Sequence, residues 1–348
     1  MLDSETWSLS FSIVVFSFAT ILIVGFGSWL AKLADHLADR TGLGEALMGA
    51  LFLGAATSLP EITTTTTAAI TDHADLAIST ALGGIAAQTV FLSLADMTYK
   101  RANLEHAAAS MANIMQGLLA IALLTTTILA FGTSHIHWFG IHPATPFMIG
   151  AYLYGLHLVY KTQAYPMWKP QKTSETKTDV PDPSIEGPSS LLWLWALLLF
   201  VCLIVGIAGW LIAKSGIAIA THTGLSETII GVVLVSISTS FPELVTALAA
   251  VRHGALTLAV GGILGGNAFD TLLVAWSDLV YQSGTIYEAI SHQQVFLMAL
   301  TILMTVILIM GLVRREKSGI GNIGFESFLI LVLYVGAIVY LFAFEQSL

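Results

Sequence analysis

The sequence Thr57-Ser58-Leu59-Pro60-Glu61 recurs with one change as Thr239-Ser240-Phe241-Pro242-Glu243. The two copies lie 182 residues apart, and the match extends in the same register on both sides. It begins with Thr41-Gly42-Leu43-x-Glu45, paired with Thr223-Gly224-Leu225-x-Glu227, and ends with Leu82-Gly83-Gly84, paired with Leu264-Gly265-Gly266. The chain therefore contains an internal repeat, and the best-matched part of that repeat is polar.

The composition around this repeat is that of a membrane protein. Of the 348 residues, 56% are hydrophobic and only 10% are charged, whereas soluble globular proteins carry about 25% charged residues. A net charge of −9 has the wrong sign for binding nucleic acid. The single cysteine, Cys202, excludes a disulfide framework and a cysteine-ligated zinc site.

Ten segments are long and apolar enough to cross a bilayer as helices, which takes about 20 residues each. The first segment lacks the basic start and the cleavage site of a signal peptide, so we read it as a retained helix. We predict an all-α polytopic membrane protein with these ten transmembrane helices: Ser10–Ala34, Ala46–Ile70, Asp75–Met97, Ala107–Phe131, Thr145–Tyr160, Leu191–Lys214, Ser226–Val251, Leu256–Tyr281, Gln293–Val313 and Phe325–Phe344.

The basic residues predict the orientation of these helices. All lysines and arginines except Lys214 fall in loops on one side of the predicted bundle. Cytoplasmic loops carry such an excess, so both termini should lie outside. The loop of residues 162–190, which is rich in proline, serine and charged residues, should be a flexible cytoplasmic linker.

The linker divides the chain into two halves, residues 1–161 and 191–348, with the repeated motifs at about 49–89 and 231–271. Five predicted spans separate the copies, and because five is odd the second half must cross the membrane in the opposite sense. Inverted repeats with polar interruptions are typical of secondary transporters whose substrate site lies between the halves. The alternative is a duplication retained only for packing.

Pro60 and Pro242 each precede a glutamate near the centre of a predicted span. Because a proline removes a backbone hydrogen bond, we expect free carbonyls around Gly54 and Ser236. Glu61 and Glu243 are costly in hydrocarbon, and no lysine or arginine lies at their depth. The expected partner is therefore a cation or a proton from outside the protein, although two protonated glutamates bonded across a packed interface are an alternative.

Side-chain oxygens accompany the two glutamates. Thr57 and Ser58 precede Glu61 by about one turn, as Thr239 and Ser240 precede Glu243, so hydroxyl and carboxylate share a helix face. Asp270, in the eighth span, adds a third carboxylate. Oxygen ligands without cysteine favour hard cations such as Ca2+ or Na+.

These motifs resemble the paired alpha-repeats of the sodium/calcium exchanger superfamily, in its prokaryotic-type members. The resemblance is stronger in the second copy, residues 238–243 and 261–270. It implies Ca2+ exchange for Na+ or H+ by alternating access in the inner (cytoplasmic) membrane, with spans one and six sliding against the other eight. It also implies the following ligands: the side chains of Glu61, Glu243, Asp270, Thr57, Ser58, Thr239, Ser240 and Gln88, and the carbonyls of Gly54 and Ser236.

The first copy departs from the pattern Gly-Asn-x-x-Gly-Ser-Asn that this superfamily commonly shows. The stretch from Ser79 to Ile85 reads Ser-Thr-Ala-Leu-Gly-Gly-Ile, and the second copy has Gly262 and Gly266 in place of an asparagine and a serine. Spans three and eight therefore offer fewer side-chain oxygens for sodium. Neither copy has the glutamate after Gly-Asn that the proton-coupled branch usually carries, which disfavours proton exchange.

We therefore expect a membrane antiporter that exchanges Ca2+, or a related cation, for Na+. A cation/proton exchanger with the same carboxylates is the alternative, and an ion channel with inverted halves is a more distant one. No motif of an intramembrane hydrolase is present, so an enzyme is not expected. Apart from the transported Ca2+ and Na+ and the lipid bilayer, the sequence implies no cofactor, nucleic acid or protein partner. Asp96 and Asp278 are equivalent by the repeat, and Asp96 is expected to pair with Lys100.

Overall fold

The structure, a computed structural model, describes residues 7–41, 54–99, 102–165, 167–171, 190–319 and 323–345. Throughout these residues the regular elements are helices, and the one β-bridge joins Trp138 to Ile141. The predicted all-α fold is therefore confirmed for the described part of the chain. Residues 49–53 of the first repeated motif, and Lys100, lie outside it.

The first predicted span is a long helix with a π-helical turn inside it, and the seventh is divided into several pieces. The described helices are α1 (Leu9–Leu22), a π-helical turn (Ile23–Gly27), α2 (Ser28–Thr41), α3 (Leu59–Ile70), α4 (Ala74–Thr98), α5 (Leu104–Ala107), α6 (Met111–Gly132), α7 (Ala144–Ala164), α8 (Leu191–Thr223), α9 (Glu227–Ile229), a second π-helical stretch (Ile230–Val235), α10 (Ser236–Thr239), α11 (Phe241–His253), α12 (Leu256–Val280), α13 (Ile286–Ala289), α14 (Gln293–Arg314) and α15 (Phe325–Glu345).

Seven of the described helices are long and apolar enough to cross a membrane, and a bent pair from Glu227 to His253 makes up to eight. Helices also occupy the two other predicted segments, as α7 and as α3, although residues 42–53 before α3 are not described. The membrane-protein prediction is confirmed at this level. The count of ten spans, and the division into halves with a linker at 162–190, stay predictions.

Some boundaries differ from the expected ones. The sixth helix, α8, continues past Lys214 to Thr223, where Gly224 ends it with a positive φ of 72°. A side chain would be strained in that left-handed conformation, which glycine adopts at helix ends. The fourth helix starts at Met111 rather than Ala107, because the hydroxyl of Ser110 caps it by accepting from the Asn113 N–H.

Both repeated Pro-Glu motifs break their helices, as predicted. The breaks fall at the equivalent residues Ser58 and Ser240, after which α3 and α11 start with proline in the first turn. The second break bends the chain by 46°. Each break places a glutamate at the amino end of a new helix, where the helix dipole favours negative charge.

The two central helices, α4 and α12, cross each other, and α3 and α11 pack against both. The most apolar stretch of α4 is wholly buried, whereas α1 and α8 pack against one another at the periphery. Their outward faces expose large apolar side chains such as Phe18, Leu199 and Leu203. This arrangement surrounds the broken helices with protein and turns α1 and α8 towards lipid.

Candidate functional site

Three carboxylates meet where the broken helices approach the central pair. Glu61 and Asp270 are wholly buried, and Glu243 is 6% exposed. Their charges are close enough to repel one another. Two glutamates come from the starts of α3 and α11, and Asp270 comes from the middle of α12. The structure thus brings together the acidic residues that the sequence predicted for the site.

Hydrogen bonds between the two halves tie these carboxylates to polar neighbours. Ser240 donates to Glu61 Oε1 at 2.8 Å, and Ser58 donates to Asp270 Oδ1 at 2.6 Å. Gln88 Nε2 donates to Asp270 Oδ2 at 2.7 Å. Each bond joins a residue of one repeat to a residue of the other. Ser58, Ser240 and Gln88 therefore lie in the site, as predicted from the motifs.

Several buried oxygens of the site have no hydrogen-bond partner: Glu61 Oε2, Gln88 Oε1, and both Oε1 and Oε2 of Glu243. Native proteins leave few buried polar atoms unsatisfied, because each costs about 1–3 kcal/mol, and more when charged. Among the described residues, ion pairs involve His73 and Arg314, and neither reaches these carboxylates. The site is therefore rich in oxygen ligands and lacks an internal cation.

The threonine hydroxyls of the motif donate to backbone carbonyls of their own helices. Thr57 donates to the carbonyl of Gly54 at 3.1 Å, and Thr239 donates to the carbonyls of Val235 and Ser236 at 3.1 and 3.2 Å. Threonine in a helix commonly bonds back in this way. The threonines lie beside the site, and the side chain of Thr239 is also within hydrogen-bonding reach of Glu61.

Free carbonyls were expected around Gly54 and Ser236, but the carbonyls of these two residues are not themselves free. The Gly54 carbonyl accepts from the Ser58 N–H at 2.9 Å, and the Ser236 carbonyl accepts from the Ser240 N–H at 3.0 Å. The reason is the spacing, since a proline withholds its donor from the residue four positions earlier, which is Ala56 for Pro60. Each of these carbonyls also accepts from a threonine hydroxyl, Thr57 or Thr239, and a ligand role for the two carbonyls stays a prediction.

Two further residues at the site were not predicted. Asn267 is buried one turn before Asp270, donates to Thr89 at 3.0 Å, and leaves its own Oδ1 without a partner. Its spacing from Asp270 places both on one helix face, a signal that was available in the sequence. Tyr152 of α7 lies near Asp270 and packs edge-on against Phe269. Because Tyr152 comes from a helix outside the repeated motifs, its distance along the sequence from the motif residues did not predict that it lies at the site.

This chemistry suits a hard cation. Carboxylate, amide and hydroxyl oxygens are ligands for Ca2+ and Na+, and no thiol or imidazole lies among them. In the part of the chain that is described, no group of three acidic, histidine or cysteine side chains is drawn together tightly enough to hold one metal ion. The carboxylates are neighbours at the meeting point of the two repeats.

Comparison with known proteins agrees with this geometry. CaxA of Alkalimonas amylolytica, which is named as an antiporter, is 26% identical over 87% of this chain and 90% of its own length. The fold resembles that of an H+/Ca2+ exchanger, CAX, with a TM-score of 0.66, 11% identity, and coverage of 97% of this chain and 88% of that one. It also resembles that of the sodium-calcium exchanger NCX_Mj, with a TM-score of 0.58, 21% identity, and coverage of 94% and 97%.

The family model described as sodium/calcium exchanger protein matches residues 11–160 and 192–343. These two stretches take up most of the chain. Members of this family are integral membrane transporters of cations. Matched along nearly its whole length, and carrying the buried oxygen-rich site between its repeats, the chain belongs to the sodium/calcium exchanger family.

Proposed function

We propose that this protein exchanges Ca2+, or a related cation, for Na+ by alternating access, with Glu61, Glu243 and Asp270 as the shared ion ligands. The observation that carries the proposal is Glu243, whose two carboxylate oxygens are buried and have no partner. A buried charge left in this way is strongly unfavourable, so a metal ion or a proton must neutralise it during the cycle. Ca2+ and Na+ entering in turn would meet this requirement.

The contacts of the peripheral helices support movement between two states. A β-carbon placed on Gly27, in the π-helical turn after α1, would lie 2.6 Å from Pro242 Cγ, and one on Gly209 of α8 would lie 2.8 Å from the carbonyl oxygen of Pro60. Each of these glycines thus meets the proline of the Pro-Glu motif in the opposite half. The peripheral helices therefore meet the breaks of the opposite half along smooth backbone surfaces, over which α1 and α8 can slide.

Coupling to protons is the second candidate, because of two glycines at the site. Gly84 and Gly266 lie beside Ser240 and Gln88 and bring no side-chain oxygen. Fewer oxygens mean fewer sodium ligands, and protons on the buried carboxylates would then replace sodium as counter-ions. The similar structures include one named as an H+/Ca2+ exchanger and one named as a sodium-calcium exchanger, so fold alone does not separate the two couplings.

The proposed topology has ten spans in a five-plus-five inverted repeat within the inner membrane, with both termini outside. A membrane-impermeant maleimide tests it in intact cells, in a Cys202→Ser background. Cysteine placed at Lys169 should be protected, whereas cysteine placed at Ser8 should react. Labelling of both positions, or the reverse pattern, would contradict the proposed orientation.

The transport proposal is tested by Ca2+ flux in proteoliposomes with an imposed Na+ gradient, an imposed pH gradient, or neither. We expect uptake that requires the Na+ gradient and is lost in Glu61→Gln and Glu243→Gln. Glu288→Gln is the matched control, because Glu288 is an exposed carboxylate outside the site. Flux driven by the pH gradient alone assigns proton coupling. Ca2+ current without any counter-ion, or full exchange in both site variants, overturns the antiport mechanism.

A further inference from the structure

The repeat also relates two buried aspartates at opposite ends of the molecule. At one end, Asp278 accepts four hydrogen bonds, two at each carboxylate oxygen. Thr285 and the N–H of Ile286 donate to Oδ1 at 2.7 and 3.0 Å, and the N–H of His142 and Thr145 donate to Oδ2 at 2.9 and 2.5 Å. Four donors satisfy an ionised carboxylate. This end is therefore a fully bonded structural joint.

At the other end, Asp96 is the equivalent of Asp278. The joint that it forms lies near the charged residues Arg314, Arg315 and Glu316. The N–H of Leu104 donates to Asp96 Oδ1 at 2.7 Å and the N–H of Gly324 donates to Oδ2 at 3.1 Å, which reproduces the two backbone bonds of Asp278. The expected partner Lys100 is outside the described residues. Asn103, the counterpart of Thr285, instead donates to the carbonyl of Glu316.

The symmetry breaks at Glu105, which occupies the position of Tyr287 in the other joint. Glu105 is 3% exposed, and Ser327 donates to its Oε1 at 2.5 Å, whereas its Oε2 has no partner. A β-carbon on Gly324 would lie 2.8 Å from that Oε2, and the N–H of the same Gly324 is bound to Asp96. Two buried carboxylates thus flank one glycine, and their charges interact.

The charged groups around Glu105 do not neutralise it. Glu326 of α15 and Glu316 after α14 add negative charge, and Arg314 pairs with both of them at 3.1 and 3.3 Å. The guanidinium of Arg315 donates to the carbonyl of His106, and the ring of His106 contacts the carbonyl of Arg315. None of the ion pairs formed by the described residues reaches Asp96 or Glu105.

We propose that Glu105 and Asp96 form a proton-binding site at this end of the protein, separate from the ion site between the repeats, in which Glu105 holds the proton. The proton makes Glu105 neutral and leaves Asp96 free to accept its two backbone bonds. Burial, as the main cause, raises the pKa of Glu105 above its usual range, in keeping with this assignment.

A proton fits the site better than a metal ion. Ca2+ takes six to eight oxygen ligands, whereas both oxygens of Asp96 already accept backbone bonds and Glu105 offers one free oxygen. Glu105 lies on α5, a single turn that packs against α12 and α14, so its charge acts on the joint between these helices and α4.

The sign of the pH dependence follows from the direction of the shift. A folded-state pKa above the unfolded value means that the stabilisation is complete at low pH and is lost as the pH rises through the folded-state pKa. The melting temperature of the full-length protein should therefore fall on alkalinisation. Glu105→Gln mimics the protonated form and should remove the part of this fall that Glu105 contributes, while the buried carboxylates between the repeats keep theirs. Glu288→Gln, on the equivalent short helix α13, should keep it.

Infrared difference spectroscopy of the full-length protein detects the proton directly. We expect a protonated carboxyl band near neutral pH that does not respond to Ca2+, unlike any band of the ion site between the repeats, that disappears on alkalinisation, and that is absent from Glu105→Gln. If that variant does not fold, Ser327→Ala serves instead, because loss of the bond to the charged form should move the band to higher pH. The assignment is overturned if the band survives in Glu105→Gln, if Ser327→Ala leaves it unmoved, or if Ca2+ at constant pH removes it. It does not depend on which ions the protein transports.

Discussion

Gln88 and Asp270 occupy equivalent positions of the two repeats, and they are hydrogen bonded to one another at 2.7 Å. At these equivalent positions, an amide of one half therefore faces a carboxylate of the other half. The amide donates through Nε2 and leaves Oε1 without a partner. The two positions therefore carry one charge, whereas a symmetric pair of carboxylates would carry two.

Exchanging the amide and the carboxylate between positions 88 and 270 tests this relationship. Gln88→Glu adds a carboxylate against Asp270, and we expect about 3–5 kcal/mol of destabilisation in cation-free protein, because one buried charge is left uncompensated. The double variant Gln88→Glu/Asp270→Asn restores one charge and one amide and should recover most of the loss. Melting temperatures with and without Ca2+ check this. A double variant no more stable than the single one would show that the two positions are not interchangeable.

The serines at the helix breaks should set the stability of the ion-free site. Ser58→Ala removes the 2.6 Å donor to Asp270, and Ser240→Ala removes the 2.8 Å donor to Glu61. Each should cost about 1–3 kcal/mol, because a buried carboxylate oxygen loses its partner. Thermal unfolding measures the change. Thr126→Ala is the control, since that hydroxyl bonds only to its own helix, at Ala122. An equal effect in the control would refute the assignment.

The glycines beside the site should limit the binding of sodium. A β-carbon on Gly84 would lie 3.4 Å from Ser240 Oγ, and one on Gly266 would lie 3.2 Å from Gln88 Oε1, so a small side chain fits with little movement. Gly84→Ser and Gly266→Ser each add a hydroxyl oxygen, and we expect Na+ to compete more strongly with Ca2+. Gly84→Ala and Gly266→Ala add the same carbon without the oxygen. Flux at increasing Na+ should separate the serine from the alanine variants, and identical curves would count against the prediction.

The contact between the peripheral helices and the breaks should be intolerant of added bulk. Gly27→Ala meets Pro242, and Gly209→Ala meets the backbone oxygen of Pro60. Overpacking of this kind costs about 1–3 kcal/mol, and we expect slower exchange because the helices can no longer slide. Gly25→Ala is the control for the first helix, since nothing lies within 4 Å of its added carbon.

For the second peripheral helix the control is Gly206→Ala, whose added carbon makes only an ordinary contact of 3.6 Å with Thr63. Initial rates of Ca2+ flux in proteoliposomes, normalised to the amount of folded protein, compare the four variants. If all four exchange at the wild-type rate, the smooth glycine contacts are not needed for movement.

Much of the site could be predicted from the sequence, because the features that indicate it lie within a few neighbouring residues. Pro60 and Pro242 each remove a backbone donor, so the breaks next to Ser58 and Ser240 follow from residue type alone. The 182-residue offset likewise paired Glu61 with Glu243 and Gln88 with Asp270 before any contact was known. The Gly54 carbonyl was also a local matter, because the carbonyl that Pro60 leaves without its usual donor is that of Ala56, four residues earlier.

The contacts between the two halves could not be predicted from the sequence. That Ser240 bonds to Glu61 while its counterpart Ser58 bonds to Asp270 depends on how α4 and α12 cross, and the repeat alone predicts a symmetric arrangement. Nothing in the sequence indicated that Asp96 accepts from the N–H of Gly324, near the far end of the chain. The expected pairing of Asp96 with Lys100 stays a prediction, because Lys100 lies outside the described residues. Glu105 had no recognisable motif at all.

By itself the sequence determined that the chain lies in a membrane, that its helices break at two Pro-Glu motifs, and that acidic residues stand there without basic neighbours. These properties follow from hydrophobicity and from the geometry of proline, which act over a few residues. Only the tertiary structure decided which oxygens share hydrogen bonds and which remain without a partner, since those contacts join helices far apart in the chain. Their geometry is set by helix crossing and close packing, which spacing along one helix does not encode.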